Sequence, residues 1–199
     1  MNAMIVYSES TNRGFLVDPG DEIERLLSRV EELEVTIEAI VFTHGHIDHV
    51  ARAEEARTQL KVPTYLHKED WAMAAAVPQQ ALLFGLPSYP TVQIDHELPG
   101  SGKFEVAGFT FDIFHTPGHS PGSVTLLSKE NKIALVGDLV FAGSVGRTDL
   151  PGCSPTALNA SIKNVILPMA DDIVLYPGHG PTTTVGQERK SNPFIEPLN

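Results

Sequence analysis

Ile23, Leu26, Leu27 and Val30 recur at three- and four-residue spacing, with Asp21, Glu22, Glu24, Glu31, Glu32 and Glu34 around them. That rhythm predicts an amphipathic helix over about residues 21–33, its apolar stripe inward and its acids in water. Elsewhere the apolar positions come in short unbroken runs rich in β-branched residues. Ile40-Val41-Phe42, Phe109 to Phe114, Ile133 to Val136 and Ile173 to Tyr176 are the clearest, and they read as buried strands. Between them the pattern predicts a helix from about Asp48 to Leu60, a strand near Thr64 to Leu66, a helix from Lys68 to Ala76 and a loop-rich stretch to about Asp95. The second half reads as strands at 103–106, 109–115, 123–128 and 132–137, a helix over 155–166 and a strand at 173–176. Both halves mix strands with covering helices, an α+β pattern that fits two sheets packed between helical layers. No linker, low-complexity segment or short repeat divides the 199 residues, so a single domain over 1–199 is expected.

The strand ends carry the chemistry. Directly after Ile40-Val41-Phe42 comes T-H-G-H-I-D-H, in which His44, His46, Asp48 and His49 are all metal-ligating types. A solvated loop would hold three imidazoles and a carboxylate in six residues only by rare chance, whereas the composition is a known metal signature. In an extended chain His44 and His46 share a face while Asp48 and His49 turn away, so one segment can serve two neighbouring ions. His119 in H-T-P-G-H-S-P-G, Asp138 in L-V-G-D-L-V and His179 in L-Y-P-G-H-G-P each follow another apolar run and are flanked by Gly or Pro, the punctuation of strand-to-loop junctions. The expectation is that four strand ends bring their ligands to one edge of a layered sheet structure. Imidazole and carboxylate without thiolate suit zinc, with iron or manganese as alternatives, rather than a Cys-rich structural zinc site.

Taken together, T-H-x-H-x-D-H, P-G-H-S-P-G, G-D and P-G-H-G-P resemble the metallo-β-lactamase superfamily. Phe141 to Asp149 (F-A-G-S-V-G-R-T-D) and the tail G-H-G-P-T-T-T-V-G-Q-E-R, continuing to Asn192-Pro193-Phe194, are similar to its small glyoxalase II-like (hydroxyacylglutathione hydrolase-like) members. The likeness runs from Val17-Asp18-Pro19-Gly20 nearly to the last residue. It implies a four-layer αββα sandwich and a binuclear hydrolase that attacks its substrate with a metal-activated hydroxide. By motif, His44, His46 and His119 would hold one divalent ion, Asp48, His49 and His179 a second, and Asp138 would bridge them. Asp48 would also orient or deprotonate the attacking water. Asp18 would accept a hydrogen bond from a ligating imidazole; a plain turn residue before Pro19-Gly20 is the other reading. The implied substrate is a small-molecule thioester such as S-lactoylglutathione. Larger enzymes of this type carry a C-terminal helical domain that helps hold glutathione, and with only 20 residues after His179 that domain is not expected here. Arg147 is the best candidate for a substrate carboxylate, since its planar fork suits that group; an ion pair with Asp149 is the alternative. Persulfide dioxygenases share much of the motif set, and for them a single iron would be held by His44, His119 and Asp138. A lactamase is not singled out, because the fold hosts many chemistries.

Composition narrows the rest. A net charge of −11 argues against nucleic acid as a partner. No run of eighteen apolar residues and no signal-like N-terminus is present, so a cytoplasmic protein without a membrane partner is expected, its oligomeric state open. Cys153, the one cysteine, precludes an internal disulfide and reads as a passive loop residue ahead of a reactive thiol. His67, His96 and His115 match no ligand position: His67 and His96 read as surface or capping residues, and for His115, close to His119, a role in supporting it is the lesser reading. The apolar segment Val77 to Pro87 reads as packed against its own domain, with a lid carrying Phe84 as the alternative. Relatives have a further strand before Ile5-Val6-Tyr7, so an unprotected sheet edge, dimerisation or a start site assigned too late is expected. Ala51 stands where relatives usually have Gly, a harmless change on a helix.

Overall fold

The computed structural model of the chain describes residues 1–198, which divide into two units of similar size. The first holds Met1, Ala3–Leu98 and Glu105–Phe109, and the second Asn2, Pro99–Phe104 and the chain from Thr110 onward.

In the first unit the β-branched runs become strands because both their faces are covered: Phe15, Leu16, Val17, Ile40, Val41 and Leu66 are fully buried. The sheet runs β1 (Met4–Tyr7), β2 (Arg13–Val17), β3 (Thr36–Val41), β4 (Thr64–Leu66) and β5 (His96–Glu97), in that spatial order. β1 is antiparallel to β2, and β2 to β5 are mutually parallel. Parallel neighbours need crossovers, which α1 (Ile23–Glu32), α2 (Ile47–Val50) with α3 (Ala53–Leu60), and α4 (Trp71–Ala75) with α5 (Val77–Leu83) supply. Ile23 and Val30 of α1, Val50 of α2, Ala53 and Ala56 of α3 and Val77 and Ala81 of α5 join Leu16, Ile40 and Leu66 in one apolar cluster. Because β2, β3 and β4 point the same way, their C-terminal ends share one edge of the sheet. Asp18, the segment His44 to His49 and Asp70 all follow those ends, the usual place for ligands on a parallel sheet. β1 forms the opposite flank of the sheet as an edge strand.

Two expectations are corrected here. The helix expected from Asp48 to Leu60 is broken at Ala51-Arg52, where Arg52 leaves helical geometry (φ −100°, ψ 4°) and its guanidinium grips Glu55 and Glu24 at 2.6 Å. Part of the expected loop before Asp95 is α5, begun by Pro78, which fits a first helical turn because no donor is needed there. Only Val77 and Ala81 of that segment turn inward; Leu82, Leu83, Phe84 and Leu86 remain exposed, at 83%, 79%, 54% and 45%. Packing against the domain therefore describes only Val77 and Ala81, and the rest of the apolar segment faces outward.

The second unit is built on a six-stranded sheet in the order β13-β12-β9-β8-β7-β6. Its strands are β6 (Ser101–Val106), β7 (Phe109–His115), β8 (Val124–Ser128), β9 (Ile133–Gly137), β12 (Val174–Pro177) and β13 (Thr183–Thr184), with a separate hairpin of β10 (Val140–Phe141) and β11 (Ser144–Val145). β8 is antiparallel to both β7 and β9, and β12 is parallel to β9. β7, β9 and β12 consequently run in one direction, and the residues beyond their ends (His119, Asp138 and His179) emerge along one edge. α6 (Pro155–Ser161), capped by the Ser154 hydroxyl, continues into a π-helical turn over Ile162–Ile166. Leu158, Ile162 and Ile166 bury against Ala134, Val136 and Leu175. The C-terminal helix α7 (Val185–Ser191) was not expected, although T-V-G-Q is a capping pattern: the Gln187 amide donates to Thr184 Oγ1 at 3.2 Å. Among the described residues no helix is long and apolar enough to cross a membrane.

Candidate metal centre

In the first unit, the V-D-P-G turn after β2 and the T-H-G-H-I-D-H segment after β3 are locked together. Asp18 is fully buried in the left-handed region (φ 49°), which Asp tolerates better than most residues. Its Oδ1 accepts the Thr43 amide at 2.8 Å, and its Oδ2 accepts the Thr43 hydroxyl at 2.5 Å and His49 Nδ1 at 2.9 Å. Gly20 permits this approach, since any Cβ there would collide with the Asp48 backbone carbonyl. The Thr43 hydroxyl spends its proton on Asp18, so at 3.1 Å it accepts from His44 Nδ1. Both imidazoles are thereby fixed in the tautomer that puts the ring's lone pair on Nε2. The His44 ring lies 4.9 Å from His46 and 4.0 Å from His49 by centroids. Asp48 Oδ2 stands 3.6 Å from His49 Nε2, and the Asp48 side chain is half-exposed where its neighbours are buried.

The second unit presents a matching set. His119 Nδ1 donates to the Arg147 carbonyl at 2.9 Å, again reserving Nε2. That Nε2 faces Asp138 Oδ2 at 3.4 Å, and His179 Nε2 faces the same oxygen at 3.6 Å. Gly146 brings the chain after the β10–β11 hairpin against the Asp138 carbonyl, and a Cβ there would overlap it. His115 and Pro121 close the His119 loop, with His115 Nε2 donating to the Pro121 carbonyl at 2.7 Å.

This donor chemistry fits a metal. In His49 and His119 the Nδ1–H is committed to an acceptor, so Nε2 is the atom that faces a carboxylate oxygen, a donor pair that a divalent cation can join. Two ligand atoms about 2.1 Å from a tetrahedral ion lie about 3.4 Å apart, close to the His119–Asp138 and His49–Asp48 separations.

The remaining candidates have other partners. Arg147 forms a two-pronged pair with Asp149, both bonds 2.7 Å, which pulls the Asp149 carboxyl down to about 2. Cys153 is half-buried and its thiol donates to the His119 carbonyl at 2.8 Å. His96 packs on Tyr65, ring centroids 5.0 Å apart. Thr43 opens the T-H-G-H-I-D-H motif, but its role in setting the His44 tautomer was not anticipated, and Asp70, which accepts the Gly45 amide at 2.8 Å, stands in no ligand-like spacing.

Residues 2–179 match the family described as the metallo-beta-lactamase superfamily. The chain belongs to that superfamily. The expected metallo-β-lactamase fold holds accordingly, and the solved structures agree. A crystal structure of the B3 metallo-beta-lactamase BLEG-1 is similar with a TM-score of 0.91 and 37% identity, covering 98% of this chain and 93% of that one. A crystal structure of TTHA1623 in a di-iron-bound form gives a TM-score of 0.87 at 37% identity, over 97% and 94% of the two chains. The hydroxyacylglutathione hydrolase GloC of Haemophilus influenzae is 38% identical over 98% of this chain and 92% of its own length. Membership places the chain in a metallo-hydrolase superfamily, with side chains of the first and second units that are candidates for metal binding.

Proposed function

We propose that the chain is a binuclear metal-dependent thioester hydrolase of hydroxyacylglutathione type, with a single metallo-β-lactamase-like domain over 1–199. The observation that carries this reading is the near full-length similarity to hydroxyacylglutathione hydrolase GloC. In it His44, His46 and His119 would hold one divalent ion, Asp48, His49 and His179 a second, and Asp138 would serve both. Zinc or iron would fill these positions: the imidazole and carboxylate donors suit either, and a relative of 37% identity has been seen with two irons. Bound in this way, the ions supply a water of lowered pKa and a positive charge for the carbonyl oxygen. The protein's own part is orientation. Asp18, Thr43 and the Arg147 carbonyl fix three imidazole tautomers, and half-exposed Asp48 is the carboxylate able to take the proton of an incoming water. A thiol leaving group, with a pKa near 8.5, needs no dedicated acid. Arg147 would meet a substrate carboxylate by exchanging it for Asp149. A cytoplasmic setting, where thiols are kept reduced, suits a glutathione thioester.

β-Lactam hydrolysis is the second reading, favoured by the 37% identity to a protein described as a B3 metallo-beta-lactamase. Purification without added metal, elemental analysis, and parallel assays on S-lactoylglutathione and a β-lactam separate the two. About two ions per chain with thioester cleavage is the expected result, and Asp138→Ala should lose metal and activity together. One iron per chain, no cleavage and oxygen uptake with glutathione persulfide would transfer the protein to the dioxygenases; two tightly held metals in Asp138→Ala would remove the bridging role.

A further inference from the structure

We propose that Asp70 is a positioning residue for the H-G-H segment, its buried carboxylate fixing the backbone between His44 and His46. This rests on the reading that both imidazoles ligate metal. Asp70 closes the short 3-10 turn Lys68–Asp70 that follows β4, and its side chain is fully buried. Oδ2 accepts the Gly45 amide at 2.8 Å. Gly45 joins the two imidazole-bearing residues, so this bond holds the peptide from which both side chains spring.

A second, steric contact comes from the same residue. A Cβ at position 45 would stand 2.9 Å from the Asp70 carbonyl oxygen, 3.0 Å from the Asp70 Cβ and 3.2 Å from the Met73 Cβ. Position 45 is therefore glycine because the Asp70 turn presses against it. The turn itself is anchored: the Asp70 amide donates to the His67 carbonyl at 3.0 Å, and the Trp71 indole N–H donates to the Leu66 carbonyl at 2.8 Å.

β3, which delivers the segment, lies between β2 and β4 in the sheet. Each flanking strand is followed by a buried carboxylate that takes an amide of the segment, Asp18 directly after β2 at Thr43 and Asp70 in the turn after β4 at Gly45. The segment is held from both sides, and the directions of His44 and His46 are set before any ion arrives. Such preorganisation is what gives residues behind the ligands their influence on metal affinity.

The test compares Asp70→Ala, Asp70→Asn and Gly45→Ala in the full chain, by zinc competition against a chromophoric chelator, the cobalt(II) absorption spectrum and the melting temperature of the apo protein. Asp70→Ala should weaken zinc binding by about 10–100-fold and alter the cobalt spectrum. Asp70→Asn, whose amide oxygen can still accept from Gly45, should restore most of the affinity. Gly45→Ala should reproduce the loss with Asp70 intact, and it carries the test if Asp70→Ala does not fold. Wild-type zinc affinity and an unchanged cobalt spectrum in Asp70→Ala or Gly45→Ala, even with a lower melting temperature, would overturn the proposal and leave Asp70 a stability residue. A wild-type protein that takes up no metal would sink the metallohydrolase reading itself, which keeps the two failures apart.

Discussion

Replacing Gly146 by alanine tests how tightly the second unit's proposed ligands are built. The chain passes Asp138 there so closely that the Gly146 amide reaches the Leu139 carbonyl at 3.3 Å, and a new Cβ would fall inside the Asp138 carbonyl and 3.2 Å from the His119 Cβ. Restoring an ordinary carbon–oxygen contact requires a retreat of about 1 Å or more. Overpacking of this kind costs about 1–3 kcal/mol, and in a chain of this length each kcal/mol lowers the melting temperature by about 2–4 °C. In the proposed metal-binding role a ligand tolerates only about 0.2 Å of displacement, so both the Asp138 carboxylate and the His119 imidazole would leave their working positions. Gly146→Ala should therefore lower the apo melting temperature by several degrees and weaken metal binding at least about tenfold, an effect of about 1.4 kcal/mol. Gly143→Ala is the control. Gly143 turns the β10–β11 hairpin at φ 73° with open space around it, so alanine meets only the left-handed backbone cost of about 1–2 kcal/mol. It should lower the melting temperature and spare the metal. Calorimetry of the apo forms and chelator competition read both quantities. Equal metal loss in the two variants, or wild-type affinity in Gly146→Ala, would refute the steric account.

Two further outcomes follow from local geometry. Cys153→Ser should leave metal content and turnover near wild type, because a serine hydroxyl can make the same bond to the His119 carbonyl; near-complete loss of turnover would show that the thiol itself is used. Asp95, held by the Arg57 guanidinium through two 2.9 Å bonds, has its carboxyl drawn from 3.8 down to about 2. A depressed carboxyl contributes stability that is present above its unfolded value and lost as pH falls through its folded one. That is about 2 kcal/mol, present above pH 4 and gone below pH 2. Urea unfolding of the apo protein should show Asp95→Asn destabilised at pH 6, with the gap to wild type closing toward pH 2; a gap independent of pH would contradict the assignment.

The candidate ligands were legible in the chain because the chemistry is local. T-H-G-H-I-D-H, P-G-H-S, G-D and P-G-H-G-P each stand beside an apolar run whose end is marked by Gly or Pro, and the structure places each just past a strand. The strands themselves were readable because burial on both faces demands unbroken β-branched runs. Helices were less so: α5 hides its inward pair Val77 and Ala81 beside apolar residues that stay in water, and the break at Arg52 is set by carboxylates at Glu24 and Glu55, one of them distant in sequence. What only tertiary structure decided is the support behind the proposed ligands. Thr43, Asp70 and the Arg147 carbonyl act through hydrogen bonds to particular atoms, and two of the three reach across the sheet edge or between loops. Arg147 shows the same division. Its guanidinium drew attention as a charge, yet the fork is closed on Asp149 while its backbone oxygen orients His119. Residue type and spacing announce which side chains can bind a metal; the direction in which each points depends on neighbours that the order of residues does not reveal.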